Sequence, residues 1–158
     1  MPALLFPRII DNTYRGQWLA LVLFVPLLLL KLAMGFNMAG FNPFLDPRQI
    51  LQDIDGIPLD AYGSAAAADL VFFASAWAAG LLTIGLFGVI ALVRYRAMIP
   101  LAFLLLTFEQ IGRELVHFDS FGAPDVLSTA SLINWGFSGA LILGFVLSIV
   151  PRRQHHAK

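Results

Sequence analysis

Apolar residues in this chain come in long unbroken blocks rather than at the alternating or helical spacing of a fold with one wet face. A hydrocarbon core of about 30 Å takes roughly 20 helical residues to cross. Blocks over 18–36, 65–93, 99–118 and 132–150 reach that length and predict four transmembrane helices. The second is long enough to tilt or to project beyond the bilayer. Residues 37–64 separate the first two blocks as a polar outer loop. Within it, DPRQILQDID predicts a short amphipathic helix, with Asp46 as N-cap, Pro47 at the first helical position, and Ile50, Leu51 and Ile54 on one side. This loop reads as a cap over the bundle or a helix on the outer membrane surface, in preference to a lid over a binding site. Gly56, Pro58 and Gly63 punctuate its return, and Ser64 is placed to cap the second span. Residues 94–98 form a tight turn, which makes the second and third spans antiparallel neighbours. Residues 119–131 form a polar loop with Gly122 and Pro124, and Ser128, Thr129 or Ser131 is available to cap the fourth span.

The expected architecture is therefore an all-α membrane protein: one domain over 1–158, four transmembrane helices in an antiparallel bundle, and a short outer amphipathic helix in the first loop. Charge adds the orientation. Arg8, Arg15, Arg94, Arg96, Arg152, Arg153 and Lys158 fall on one side of four crossings. The other side has Arg48 with Asp46, Asp53, Asp55, Asp60, Asp119 and Asp125. Basic flanks stay cytoplasmic, so both termini are expected there, in a bacterial inner membrane. Arg8 and Arg15 also resemble the basic end of a signal peptide. The apolar run that follows reaches Phe36 without a small-x-small cleavage site, which favours a retained helix.

Composition narrows the chemistry. Hydrophobic residues make up 59% of the 158 and charged ones 13%, well away from the balance of soluble domains. Without cysteine the chain has no disulfide, thiolate metal site or thiol redox chemistry. Net charge is zero, and no basic patch of the size nucleic acid demands is present. Phosphate-cradling glycine loops, G-x-S-x-G and zinc-protease helix motifs are also lacking, and His155 and His156 read as solvated tail. Tyr14, Trp18 and Tyr95 suit an aromatic belt at the cytoplasmic boundary.

The third block, PLAFLLLTFEQIGRELVHF, differs from the others because it carries Glu109, Arg113, Glu114 and His117. Ionisable groups within a span are costly and usually face a protein interior or wet cavity, paired with one another. Counting about 1.5 Å per residue from Ile99, Glu109 lies about 15 Å deep and His117 about 27 Å. At about 100° per residue, Glu109, Gln110, Arg113, Glu114 and His117 share an arc of about 140°. Phe108, Ile111, Gly112, Leu115 and Val116 take the other side. Lys31 in the first span, Asp69 in the second and Asn134 in the fourth are candidate partners. The group Lys31, Asp69, Glu109, Arg113, Glu114, His117 and Asn134 is the candidate ligand-binding or proton-relay site. Each member also has a plain role: Lys31 snorkelling to the interface, Asp69 complementing its helix dipole, Glu109 pairing with Arg113, His117 sitting at the interface. A self-neutralising structural network stands beside a functional site. No catalytic residue set or metal site is assigned, and the cofactor is left unknown.

Small residues mark where helices approach closely. Gly136, Ala140 and Gly144 form one stripe; Ala76 and Gly80, with Gly85 and Gly88 beyond, form another. They serve either packing within the chain or association with a membrane-protein partner or a second copy.

One span, a longer outer loop and three closely connected spans, with Lys31 in LLLLKLAMGF at the outer end of the first, resemble the DoxX-like small four-helix membrane proteins. That resemblance implies an accessory or subunit role near membrane redox enzymes. The sequence thus predicts a non-enzymatic accessory or ligand-binding subunit with an outward-facing charged pocket. The alternatives are a proton-linked transporter or channel subunit working as an oligomer through Glu109, Arg113 and His117, and a small membrane enzyme using Glu114 and His117.

Overall fold

The computed structural model describes residues 2–121 and 129–152, with side chains over 4–116 and 132–152. Every regular element among them is helical. A short N-terminal helix, α1 (Pro2–Leu5), precedes α2 (Trp18–Met38); α3 (Pro47–Gln49) opens the loop; α4 (Ser64–Val93), α5 (Ile99–Phe121) and α6 (Thr129–Ile149) follow. By length and composition α2, α4 and the segment Leu132–Ile149 of α6 are able to cross a membrane. The charges of α5 lower its apolar content, so among the described residues three helices meet that description rather than four. The chain divides into two compact units, residues 29–86 and residues 1–28 with 87–158.

In the unit of residues 29–86, the upper part of α2 lies along the first part of α4. Gly35 abuts the Leu82 side chain and the Ala78 carbonyl, Gly85 abuts Leu32, and the Ser75 hydroxyl donates to the Met38 carbonyl at 3.0 Å. These pairings run in opposite chain order. The loop packs onto them: Leu51 and Leu59 join Met38, Ala67 and Ala78 in a core that Ile50, Ile57, Val71 and Trp77 flank. Asp46 caps α3 as its spacing predicts, its carboxylate accepting from the Arg48 N–H at 2.8 Å. The helix then widens into a π turn over Ile50–Ile54, closed by the Asp55 N–H on the Ile50 carbonyl. Wider winding advances each residue by less than an α turn, so Ile54 swings away from Leu51 and is 73% exposed. Ile54 is therefore not on the packed side with Leu51; Ile57 and Leu59, beyond Gly56, take that place. Ser64 is the first helical residue of α4 instead of its cap, and the Gly63 carbonyl accepts from Ala67. Of the residues available to cap α6, Ser128 lies outside the described residues.

The other unit is organised around two aromatic rings. Phe24 of α2 meets Phe103 of α5 edge to face, centroids 4.9 Å apart, and both are fully buried. Gly88 of α4 lies against Phe24 and Leu28, and Gly144 of α6 lies against the Phe103 ring. A methyl group at either glycine would occupy the space of its neighbour. These two glycines act inside the chain, whereas Gly80, Gly136 and Gly139 face open space. Residues 11–17 tie this unit together at its basic end. The Ala97 N–H donates to the Asp11 carbonyl, the Arg152 N–H to Arg15 and the Gln17 N–H to Leu147, and the Gln17 amide reaches the Pro151 carbonyl.

Candidate functional site

Helix α5 turns its polar face toward packing and its apolar face outward. Gln110 is 1% exposed and Thr107 is buried, while Glu109, Arg113 and Glu114 are half-buried. On the opposite side Phe108 is 77% and Val116 68% exposed, and Leu115 is also exposed. This is the reverse of a helix at a water-exposed surface, and it follows the arc read from the sequence.

Gln110 connects the charges. Its side-chain oxygen accepts from Arg113 Nη2 at 3.1 Å, and its amide nitrogen donates to Glu114 Oε1 at 3.1 Å. The Arg113 guanidinium and the Glu114 carboxylate are 3.5 Å apart. Spacings of three and four residues stack these side chains on one helical face, so a single helix assembles the network by its own periodicity. An amide suits the position because it accepts from a cation at one end and donates to an anion at the other. Arg113 thus pairs with Glu114, and Glu109 stands half-buried on the preceding turn, engaged in interactions of its own.

The remaining candidates fall as follows. Asn134 of α6 is half-buried. Since Phe103 lies against Gly144, helical rise of about 1.5 Å per residue on both helices brings Asn134 level with Arg113. Lys31 is completely buried and has interactions of its own. Asp69 is exposed on α4, along the same open side as Phe73, Ala76 and Gly80. Lys31 and Asp69 belong to the unit of residues 29–86, and the α5 network with Asn134 to the other. The His117 side chain lies outside the described residues, as do His155, His156, Arg153 and Lys158. Among the described residues no group of three His, Asp or Glu side chains is placed to hold a metal ion.

Three polar residues escape a reading that looks only for charge. Gln110 is the hub, and the hydroxyls of Thr107 in α5 and Ser138 in α6 are buried without a hydrogen-bond partner among the described residues. Thr107, Gln110 and Glu114 lie on one helical face by spacing, and Ser138 follows Asn134 by one turn, so the positions were available from periodicity. No family model, curated protein or solved structure matches this chain.

Proposed function

We propose that this chain is a four-span integral membrane protein in which α5 crosses the bilayer beside α2, α4 and α6, with both termini cytoplasmic. The packed polar face of α5 forms an outward-facing charged pocket, and the protein serves as a non-enzymatic accessory or ligand-binding subunit of a membrane complex. One observation carries the reading: Gln110 is buried with Arg113 and Glu114 bonded to it, while Phe108 across the helix stands open. In water that arrangement exposes the wrong face; in hydrocarbon it is the arrangement that avoids unsatisfied charge. The burial of Lys31 adds support, because a wholly buried ammonium group is rare outside a polar interior within a membrane protein. The resemblance of LLLLKLAMGF to the DoxX-like proteins points to the same accessory role.

Topology is directly testable because the chain has no cysteine. Single cysteines at Arg8→Cys and Arg94→Cys are expected to label from the cytoplasmic side, and those at Asp53→Cys and Asp125→Cys from the outer side. Labelling of positions 94 and 125 from the same side would exclude α5 as a span. For the role itself, the protein drawn from native membranes in lipid nanodiscs should carry a stable partner or a bound lipophilic molecule. Glu109→Gln should insert but lose it; a lone chain with an empty interior would overturn the reading.

A further inference from the structure

A groove of about 350 Å³ opens at the basic end, lined by Asp11, Asn12, Val93, Arg94 and Tyr95. We propose that it binds an anionic phospholipid, with the Arg94 guanidinium on the headgroup phosphate.

Arg94 is exposed at the groove, 5.8 Å above the Tyr95 ring, and has no ion-pair partner among the described residues. A planar guanidinium held over an aromatic face still presents its N–H edge, which matches two oxygens of a phosphodiester. The one acid in the lining is already answered: Asp11 accepts from the Thr13 N–H at 3.1 Å and pairs with Arg15 at 2.7 Å. Its charge is neutralised from within the chain and does not oppose an incoming anion. Arg96, held by a bond from its Nε to the Leu92 carbonyl, adds positive potential to this end.

The apolar side of the groove selects a lipid over a free anion. Val93 is in the lining, and Ile90, one turn below on α4, is also exposed. They lead from Arg94 onto the outward face of a helix long and apolar enough to cross a membrane. A cation at the water edge with an aliphatic rail beneath it fits an amphiphile: phosphate at Arg94, acyl chain along Val93 and Ile90. The proposal rests on α4 spanning the bilayer.

Native mass spectrometry of the full chain with equal amounts of phosphatidylglycerol and phosphatidylcholine tests it. Phosphatidylglycerol should be retained about tenfold over phosphatidylcholine, the difference one charge-assisted contact makes. Arg94→Gln should bring the two to parity, Arg94→Lys should keep part of the preference, and Arg48→Gln, far along the sequence and paired with Asp60, should leave it intact. Equal retention by the unaltered chain, or equal loss in Arg48→Gln, would overturn the site. Displacement of the lipid by millimolar inorganic phosphate would make it a free-anion site and refute the lipid assignment. Alkaline carbonate extraction of the same variants separates the two levels: chains that stay in the membrane yet show no preference refute the groove alone, while extracted chains refute the spanning reading beneath it.

Discussion

Gln110 sits at a position where neither an apolar nor a charged residue would do the same work. It lies between a guanidinium and a carboxylate, deep enough that water does not substitute for it. Gln110→Ala should lower stability by about 1–3 kcal/mol, because Arg113 and Glu114 each lose a partner in a low-dielectric site. Phe108→Ala, on the open side, should change little; thermal unfolding in one detergent compares them. At the basic end, Tyr14 presents the opposite case. Burial raises its phenol above the ordinary value of 10.0, and its hydroxyl has no partner among the described residues. Burial favours the neutral form, so this contribution is present below pH 10.0 and is lost as pH rises beyond it. Asp11 is held below its ordinary 3.8, first by the Thr13 hydroxyl, against the opposing effect of desolvation and with help from the Thr13 N–H and Arg15. Its contribution is present above pH 3.8 and is lost as pH falls through the lowered value. Unfolding midpoints followed across pH should therefore fall less steeply toward acid in Asp11→Asn and toward alkali in Tyr14→Phe. Tyr14→Phe should be at least as stable at neutral pH.

Among the elements, the glycines of α4 and α6 divide by what they face. Gly88 and Gly144 bracket the Phe24–Phe103 pair, and a Cβ at Gly144 would enter the Phe103 ring. Gly144→Ala should cost about 1–3 kcal/mol through overpacking, whereas Gly139→Ala and Gly136→Ala should be tolerated within the chain. A loss of oligomer or partner in Gly136→Ala or Gly80→Ala, with unfolding temperature unchanged, would show that the open halves of the stripes serve association. Helix α3 shows how a local departure alters an amphipathic reading. Its cap forms as the residues require, but the π turn over Ile50–Ile54 replaces Ile54 with Ile57 and Leu59 in the core. Nothing in a string of apolar residues distinguishes one winding from the other, since the choice depends on what lies beneath. Pro26 inside α2 is a similar case, since its missing N–H is tolerated within an apolar helix whose neighbours pack closely.

For the molecule as a whole, the basic end is held together by segments far apart in sequence. Residues 11–17 hydrogen-bond to the turn before α5 and to the end of α6, so removal of residues 1–17 should weaken more than a tail would. A large fall in thermal stability on that truncation, measured in detergent, is the expected result. The four long helices, the capped start of α3 and the polar arc of α5 were all legible beforehand, because helical length and a period of 3.6 are properties of the chain alone. So was the inward direction of Gln110, Arg113 and Glu114, since solvation dictates which face of an amphipathic helix packs. What only tertiary packing decided was the choice among equivalents: which glycines receive an aromatic ring, why Asp69 stays exposed while Lys31 is buried, and which apolar residues of the loop reach the core. Such choices depend on atoms contributed by other helices, and no periodicity within one segment encodes its neighbour's shape.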